Sequence, residues 1–287
     1  MEKIKLIEIT SKEYPEKLLK INNPPKQIYI IGNQELLYKD SIAIVGSREC
    51  TCYGAKYAQE FAKKISKKEI CIVSGMAIGI DAAAHRGSVK EAGRTIAVLG
   101  AGFNDIYPKE NLDLFKKILE NDGCVISEYS PDTKVDLSKF PHRNRIISGL
   151  SMGVLVVEAK HRSGSTVTAK YAKEQEKPIF CIPSNIGLKT GVGTNRLIQA
   201  GAKLVIDAND ILREFNIITE ENEDIIQELQ IEEEFKNIYE AISYMPTNVN
   251  LIAKKCNLSI AQINQKLLIM EIKGYIKSLP ANEYVRL

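Results

Sequence analysis

The stretch SIAIVGSRECTCYGAKYAQEFAKKISKKEICIVSG, residues 41–75, decides the fold because it holds two strands separated by a helix. Residues 41–46 are a β-branched apolar run ending in glycine, and residues 69–75 repeat that pattern. Between them, apolar residues recur at helical spacing: Ala55, Ala58, Phe61, Ala62 and Ile65. Strands without polar alternation are buried on both faces, so the stretch predicts parallel strands joined by a crossover helix.

The same alternation continues along the chain. Apolar runs occur at 95–100, 124–129, 153–159, 178–183 and 202–207, and each is followed by a helical pattern, including a short helix over 144–151. Residues 41–218 are therefore predicted to form a doubly wound, mostly parallel sheet, the α/β class. Residues 1–40 are expected to pack on this domain as an extension with one short helix and a strand.

The C-terminal part has a different pattern. Residues 219–232 are acidic and are interpreted as a linker. Residues 233–287 read as helix, helix, turn, helix and a two-stranded hairpin, and Ser259 stands three residues before Gln262, a capping-box spacing. This order predicts a small winged helix-turn-helix domain.

Composition indicates a globular protein of a reducing compartment. No apolar run approaches the ~18 residues of a membrane helix, no signal peptide is evident, and a cytoplasmic location is expected. The cysteines lack paired metal-ligand spacing, and Cys71, Cys124 and Cys181 lie in apolar runs, so no metal site is expected. The net charge of +3 comprises +7 in residues 1–218, −5 in 219–231 and +1 in 232–287, which favours an anionic partner for the large domain.

Ligands of an open parallel sheet bind at the carboxyl ends of its strands. Five of the six loops there carry glycine beside hydroxyl or basic side chains, which suits phosphate binding. Neither a P-loop nor a G-x-G-x-x-G fingerprint is present, which disfavours a dinucleotide-dependent oxidoreductase.

Several candidate side chains have two interpretations. Arg48 follows the first strand, where it contacts a phosphate or is a solvated loop residue. Asp81 can orient His85 four residues later on one helix, a structural hydrogen bond rather than catalysis. Glu128 and Glu158 end two strands and either approach each other as an acid/base pair or support Arg143 and Arg145.

Two further features also have alternatives. Ser163, Ser165 and Thr166 begin a helix, where hydroxyls cap the helix, bind phosphate, or do both. The predicted recognition helix of the winged domain is barely basic, so duplex DNA and protein docking both remain open.

Together these loops resemble the DNA-processing protein A family, also called Smf. The resemblance rests on VGSR (45–48), SGMAIGIDAAAH (74–85), TIAVLGAGFNDIYPKEN (95–111), FPHRNRIISGLSMGVLVVEAKHRSGSTVTA (140–169) and GTNRLI (193–198). It implies an extended Rossmann-like domain that binds and protects single-stranded DNA and loads the RecA recombinase onto it during natural transformation. It also implies a homodimer, and neither a cofactor nor catalytic activity.

The resemblance also supplies the expected contacts. DNA-binding residues are expected at Ser47, Arg48, Gly75, Lys109, Lys139, Phe140, Arg143, Asn144, Arg145, Gly164, Ser165, Thr166, Asn195 and Arg196. Phe140 is expected to stack on or wedge beside a base, and either Arg143 or Arg145 to bind DNA while the other braces the loop. Ile78 stands where many members have a basic residue, which lowers the charge of its loop.

An enzymatic alternative is a phosphoribohydrolase of the lysine-decarboxylase-like type. Those proteins cleave nucleotide glycosidic bonds with a glycine-rich loop and a following Glu. The segment SGSTVTAKYAKEQ, residues 163–175, is only loosely similar to that loop.

Overall fold

The computed structural model describes residues 4–161, 163–218 and 231–286. The chain forms two compact units, Met1–Glu221 and Asn222–Leu287. Of the segment interpreted as an acidic linker, residues 219–230 lie outside the described residues.

A mixed sheet organises the described part of the first unit. Its strands are β1 (Lys5–Glu8), β2 (Gln27–Gly32), β3 (Ser41–Val45), β4 (Cys71–Ser74), β5 (Thr95–Leu99), β6 (Cys124–Ser127), β7 (Gly153–Val156), β8 (Ile179–Cys181) and β9 (Lys203–Leu204). Their order is β1-β2-β6-β5-β4-β3-β7-β8-β9. Strands β3 to β9 are mutually parallel; β2 pairs antiparallel with β6, and β1 pairs antiparallel with β2. The described part of the 1–40 segment, residues 4–40, thus continues the sheet, with one strand more than expected.

Helices cover both faces of this sheet. They are α1 (Glu16–Leu19), α2 (Cys52–Lys67), α3 (Ile80–Ser88), α4 (Leu112–Glu120), α5 (Lys139–Leu150), α6 (Gly164–Glu174), α7 (Val192–Gln199) and α8 (Ala208–Glu214), with 3-10 turns at Gln34–Leu37 and Lys109–Asn111. Ala43 and Val45 of β3 pack in the core that contains α5 and α6, whereas Ile42 and Ile44 pack in the core that contains α2, α3 and α8. The doubly wound α/β fold is confirmed.

Helix α5 begins five residues earlier than the predicted start at residue 144. Pro141 lies in its first turn, where the missing backbone N–H costs nothing because the first four N–H groups of a helix have no helical partner. The FPHRNR sequence is therefore helical, and its side chains project from a rigid element.

The second unit is a winged helix. Its elements are α9 (Glu233–Ala241), β10 (Thr247–Asn248), α10 (Val249–Cys256), α11 (Ile260–Ile272), β11 (Ile276–Leu279) and β12 (Glu283–Arg286), with a 3-10 turn at Pro280–Asn282. The small sheet has the order β10-β12-β11. Phe235, Ile252, Ile263 and Leu267 are among the side chains of its own core. The capping box of Ser259 and Gln262 is confirmed.

Candidate nucleic-acid interface

A cleft of about 420 Å³ opens where the strand order reverses, between β3 and β7. Val45 and Val156 are register partners, so the loops that follow these strands begin side by side. Gly46–Glu49 from the first loop and Ser163–Ser165 from the start of α6 line the cleft, together with Phe140 and Arg143 of α5. This is the topological switch point at which open α/β sheets bind ligands.

Arg48 provides the accessible positive charge of the cleft. Its side chain is exposed, and its guanidinium carbon lies 5.6 Å from the centre of the Phe140 ring. The described residues offer it no ion pair, whereas Lys160 across the cleft is paired with Glu49 at 2.5 Å. Arg48 can therefore bind an incoming anion without first breaking a salt bridge.

Phe140 supports the cleft from below and is not open to a base. Its side chain is 9% exposed, packs against Gly100, and stacks on Tyr107 with ring centres 5.6 Å apart. Tyr107 is 42% exposed and offers an aromatic surface beside the cleft. Tyr107 was not predicted as a site residue, although it stands two positions before the candidate Lys109 in the same loop.

Arg143 is an internal brace. Only 4% of it is exposed, and Nη1 donates to the carbonyl oxygens of Gly75, at 2.8 Å, and Val98. Burial lowers the pKa of its guanidinium to about 10 while the nearby Asp81 carboxylate opposes that shift, so it stays protonated at neutral pH. Its contacts join α5 to the ends of β4 and β5.

Arg145 braces a different part of the domain. It is 2% exposed, and Nη2 donates to Glu128 Oε1 at 2.5 Å while Nε donates to the Asn23 carbonyl at 2.9 Å. The first contact reaches the end of β6, and the second holds the N-terminal segment. Both guanidiniums are thus nearly buried and bound by protein groups, and the expectation that one of them contacts DNA stays a prediction.

The start of α6 presents backbone donors to the cleft. No described side chain caps its N-terminus, contrary to one interpretation, because the Ser163 hydroxyl lies 2.7 Å from Ser165 Oγ and Thr166 Oγ1 donates to the Ser163 carbonyl at 2.6 Å. Gly164 has open space where a Cβ would stand. Asn144 Nδ2 donates to the Gly164 carbonyl at 3.2 Å and ties this turn to α5.

Four other predicted residues divide into structural and accessible groups. A Cβ on Gly75 would stand 2.6 Å from Arg143 Nη2, so this glycine makes room for the guanidinium. Ser47 is buried, and its N–H donates to the Glu158 carbonyl at 2.8 Å. Lys109 is exposed on a 3-10 turn, and Lys139 is half-buried with Nζ 5.0 Å from the Tyr129 ring centre.

Asn195 and Arg196 do not line the cleft. The Asn195 amide accepts from the Ser184 N–H at 3.0 Å and donates to the Ser184 carbonyl at 2.8 Å, which fixes the loop after β8. Arg196 is exposed, and its Nη1 lies 2.7 Å from His161 Nδ1. Asn195 is thus a brace, and Arg196 lies on the protein surface.

The expected Asp81–His85 hydrogen bond is not formed. Asp81 Oδ2 accepts from the backbone N–H groups of Gly75 and Ala77, and burial raises the pKa of this carboxyl. The Thr95 hydroxyl donates to the Ile72 carbonyl, so its oxygen accepts from His85 Nδ1 at 2.7 Å. Burial lowers the pKa of His85 to about 3, which keeps the imidazole neutral.

Glu128 and Glu158 do not form an acid/base pair. Glu128 binds Arg145, as the structural interpretation predicted. Glu158 accepts from the N–H and the hydroxyl of Thr51, at 2.9 and 2.5 Å, and so stabilises the start of α2. Burial raises the pKa of Glu158. No potential metal-binding cluster of His, Cys, Asp or Glu occurs among the described residues.

The winged unit presents a different surface. The exposed residues of α11 are uncharged up to Ile272: Ile260, Ala261, Gln262, Asn264, Gln265, Leu268 and Ile269. Lys266 pairs with Glu234 at 3.3 Å, and Lys273, just after the helix, pairs with Glu232. This helix therefore has little with which to bind a phosphate backbone. Across the described chain, no helix combines the length and the apolar character needed to cross a membrane.

Comparison with known proteins agrees with these features. Residues 5–216 match the family model described as DNA recombination-mediator protein A, and residues 227–282 match the DprA winged helix domain. Protein Smf of Escherichia coli is 35% identical over 98% of this chain and 77% of its own length. The DNA processing protein DprA of Bacillus subtilis is 44% identical over 74% of this chain and 71% of its own length.

Solved structures show the same relationship. The crystal structure of DNA processing protein A from Streptococcus pneumoniae is similar with a TM-score of 0.70 and 42% identity, over 74% of each chain. A structure reported for the single-stranded DNA binding mode of the Helicobacter pylori protein has a TM-score of 0.67 and 28% identity, over 75% of this chain and 98% of that one. By its fold, its loops and these matches, the chain belongs to the DNA recombination-mediator protein A family, known as DprA or Smf.

Proposed function

We propose that this protein binds single-stranded DNA in the cleft between β3 and β7. The observation that carries the proposal is the exposed Arg48 guanidinium, which has no ion pair among the described residues, in a cleft that also holds the uncapped start of α6. Guanidiniums and free backbone N–H groups bind phosphate, and the Tyr107 ring offers a stacking surface for a base. The relative from Helicobacter pylori, whose structure concerns single-stranded DNA, supports the assignment.

Fluorescence anisotropy with single- and double-stranded oligonucleotides of one sequence tests this proposal. Single strands should bind tighter, with a log–log salt slope of about −0.7 for each phosphate neutralised. Equal affinity for duplex, or a slope indistinguishable from zero, would contradict it.

The proposal extends to the fate of the bound strand. The strand is protected and passed to the RecA recombinase during natural transformation, and support for this step is the family's designation as a recombination mediator. Nuclease digestion with and without the protein tests protection. RecA filament assembly on DNA preincubated with the protein tests loading, and slower assembly than on bare DNA would count against it.

The protein is further proposed to act as a cytoplasmic homodimer without catalysis. Four buried free thiols fit a reducing compartment, and the candidate carboxylates Asp81, Glu128 and Glu158 are bound by protein groups. Light scattering after gel filtration measures the dimer. Base release from nucleoside monophosphates would overturn the non-catalytic assignment in favour of a phosphoribohydrolase.

A further inference from the structure

A second cavity lies at the amino ends of the parallel strands β7 and β8, whereas the cleft lies at the carboxyl ends of β3 and β7. It has a volume of about 240 Å³, and its lining includes Lys17, Lys20, Met152, Gln175 and Lys177. Met152 immediately precedes β7 and Lys177 lies two residues before β8, whereas the DNA cleft follows the carboxyl ends of the parallel strands. The two sites therefore do not share residues.

The lining of this cavity is cationic. Three ammonium groups contribute to it, and none of its described lining residues is a carboxylate. Among the described residues, the carboxylate that forms an ion pair with these lysines is that of Asp40, whose Oδ1 lies 4.0 Å from Lys17 Nζ and whose side chain is 66% exposed. This one largely exposed ion pair does not neutralise three lysines.

Hydrogen-bond donors are left over at the cavity. Lys177 Nζ donates to the carbonyls of Ser148 and Gly149, each at 2.7 Å, which uses two of its three protons. Lys17 Nζ donates to the Lys39 carbonyl at 2.5 Å. Lys20 is exposed and makes no side-chain hydrogen bond or ion pair within the described residues. An acceptor with several oxygens would satisfy the donors that remain.

Electrostatics also favours an anion here. Burial, together with a smaller effect of the Lys17 charge, lowers the pKa of Lys177 to about 8. Burial likewise lowers the pKa of Lys17, against the attraction of Asp40. The two ammonium groups repel each other across the cavity, and a bound anion would replace repulsion by attraction.

We propose that this lysine cavity binds a small phosphate-type oxyanion, such as inorganic phosphate, pyrophosphate or a terminal phosphoryl group. Lysine ammonium groups bind phosphate as point charges. The volume is below the roughly 300–1,000 Å³ of pockets for larger organic ligands, so the anionic group itself, rather than a whole nucleotide, fills it.

Lysine-detected NMR titration of the full chain with pyrophosphate tests the site directly. The pKa of Lys177, assigned with Lys177→Arg, should rise by at least one unit when pyrophosphate binds, which corresponds to at least ~10-fold tighter binding to the protonated form. The measurement is made in an Arg48→Ala background, so that pyrophosphate bound at the cleft between β3 and β7 contributes less to the observed shift.

A second variant tests binding by a substitution that is not expected to disturb folding. Lys20→Ala removes an exposed lysine that makes no described contact, and it should weaken pyrophosphate binding several-fold. Lys12→Ala, an exposed lysine outside the cavity, is the matched control and should leave binding unchanged. An unchanged Lys177 pKa, or equal losses in both variants, overturns the proposal. A single-stranded oligonucleotide without a terminal phosphate that shifts the Lys177 pKa as strongly as pyrophosphate does would also overturn it, because the cavity would then be part of the DNA path.

Discussion

The cleft between β3 and β7 and the exposed face of α11 are the two surfaces that the sequence offers as candidates for nucleic-acid binding, and they differ in the charge of their exposed groups. The cleft combines an accessible guanidinium with glycine backbone and a helix start. The α11 face combines apolar and amide side chains, and the flanking lysines are engaged by glutamates. A helix-turn-helix arrangement therefore does not by itself supply the accessible charge that a phosphate site needs.

Ion pairs of the two units that carry these surfaces should differ most. Glu128→Gln leaves the Arg145 guanidinium buried without its counter-charge, and we expect a loss of about 3–5 kcal/mol in the free energy of unfolding. The matched change in the winged unit, Glu234→Gln, opens an exposed pair and should cost under about 1 kcal/mol. Urea denaturation of each variant measures both, and similar losses would erase the distinction between buried and exposed pairs.

Arg48→Ala should give the next largest effect. Loss of one charge-assisted contact of about 1.5–3 kcal/mol corresponds to a roughly 10- to 150-fold weaker affinity for single-stranded DNA, with the salt slope reduced by about 0.7. Arg86→Ala removes an exposed arginine of α3 that does not line the cleft and is the control. If both substitutions weaken binding equally, the cleft is not the site.

Lys109→Ala should have a smaller effect of the same kind. Its ammonium is exposed and hydrated, so we expect a loss of a few-fold in affinity and a slope change of at most about 0.7. Titrations at several salt concentrations separate this effect from a change in stacking.

Tyr107→Leu should weaken the binding of single-stranded DNA by about 1–3 kcal/mol, the contribution of one base stacked on an aromatic ring, and should leave the salt slope nearly unchanged.

The smallest effect is expected from adding charge to α11. Gln265→Lys should confer weak, salt-sensitive affinity for duplex DNA, with a slope of up to about 0.9 for the added contact. Asn237→Lys places the same charge on the exposed face of α9 and serves as control. Strong duplex binding by the unmodified chain that survives high salt would show that α11 reads DNA by contacts other than charge.

The parallel sheet and the winged unit were predictable because their signals are local. Continuous apolar runs such as 41–46 mark strands buried on both faces, and Ser259 with Gln262 marks a helix start. The strand β1 was not predicted, since Lys5–Glu8 is four residues long and its pairing with β2 is not encoded in a local pattern.

The division of labour in the candidate site was not predictable from residue types. Arg48 and Arg143 are chemically identical, but one is exposed and the other is enclosed by β4, β5 and Gly75. Phe140 fits a stacking ring by type, and only the positions of Tyr107 and Gly100 show that it is covered. Burial depends on what the rest of the chain places around a side chain, and sequence spacing does not reveal that.

The contact between Gly75 and Arg143 has a consequence for how this family can diverge. Any side chain at 75 would take the space of the guanidinium, so the two positions should change together or not at all across relatives. Gly54 and Glu158 form a similar couple, because a Cβ on Gly54 would stand 2.5 Å from the Glu158 carboxyl carbon. We therefore expect these pairs, far apart along the chain, to leave a correlated record of substitution, while the exposed positions of α11 vary independently.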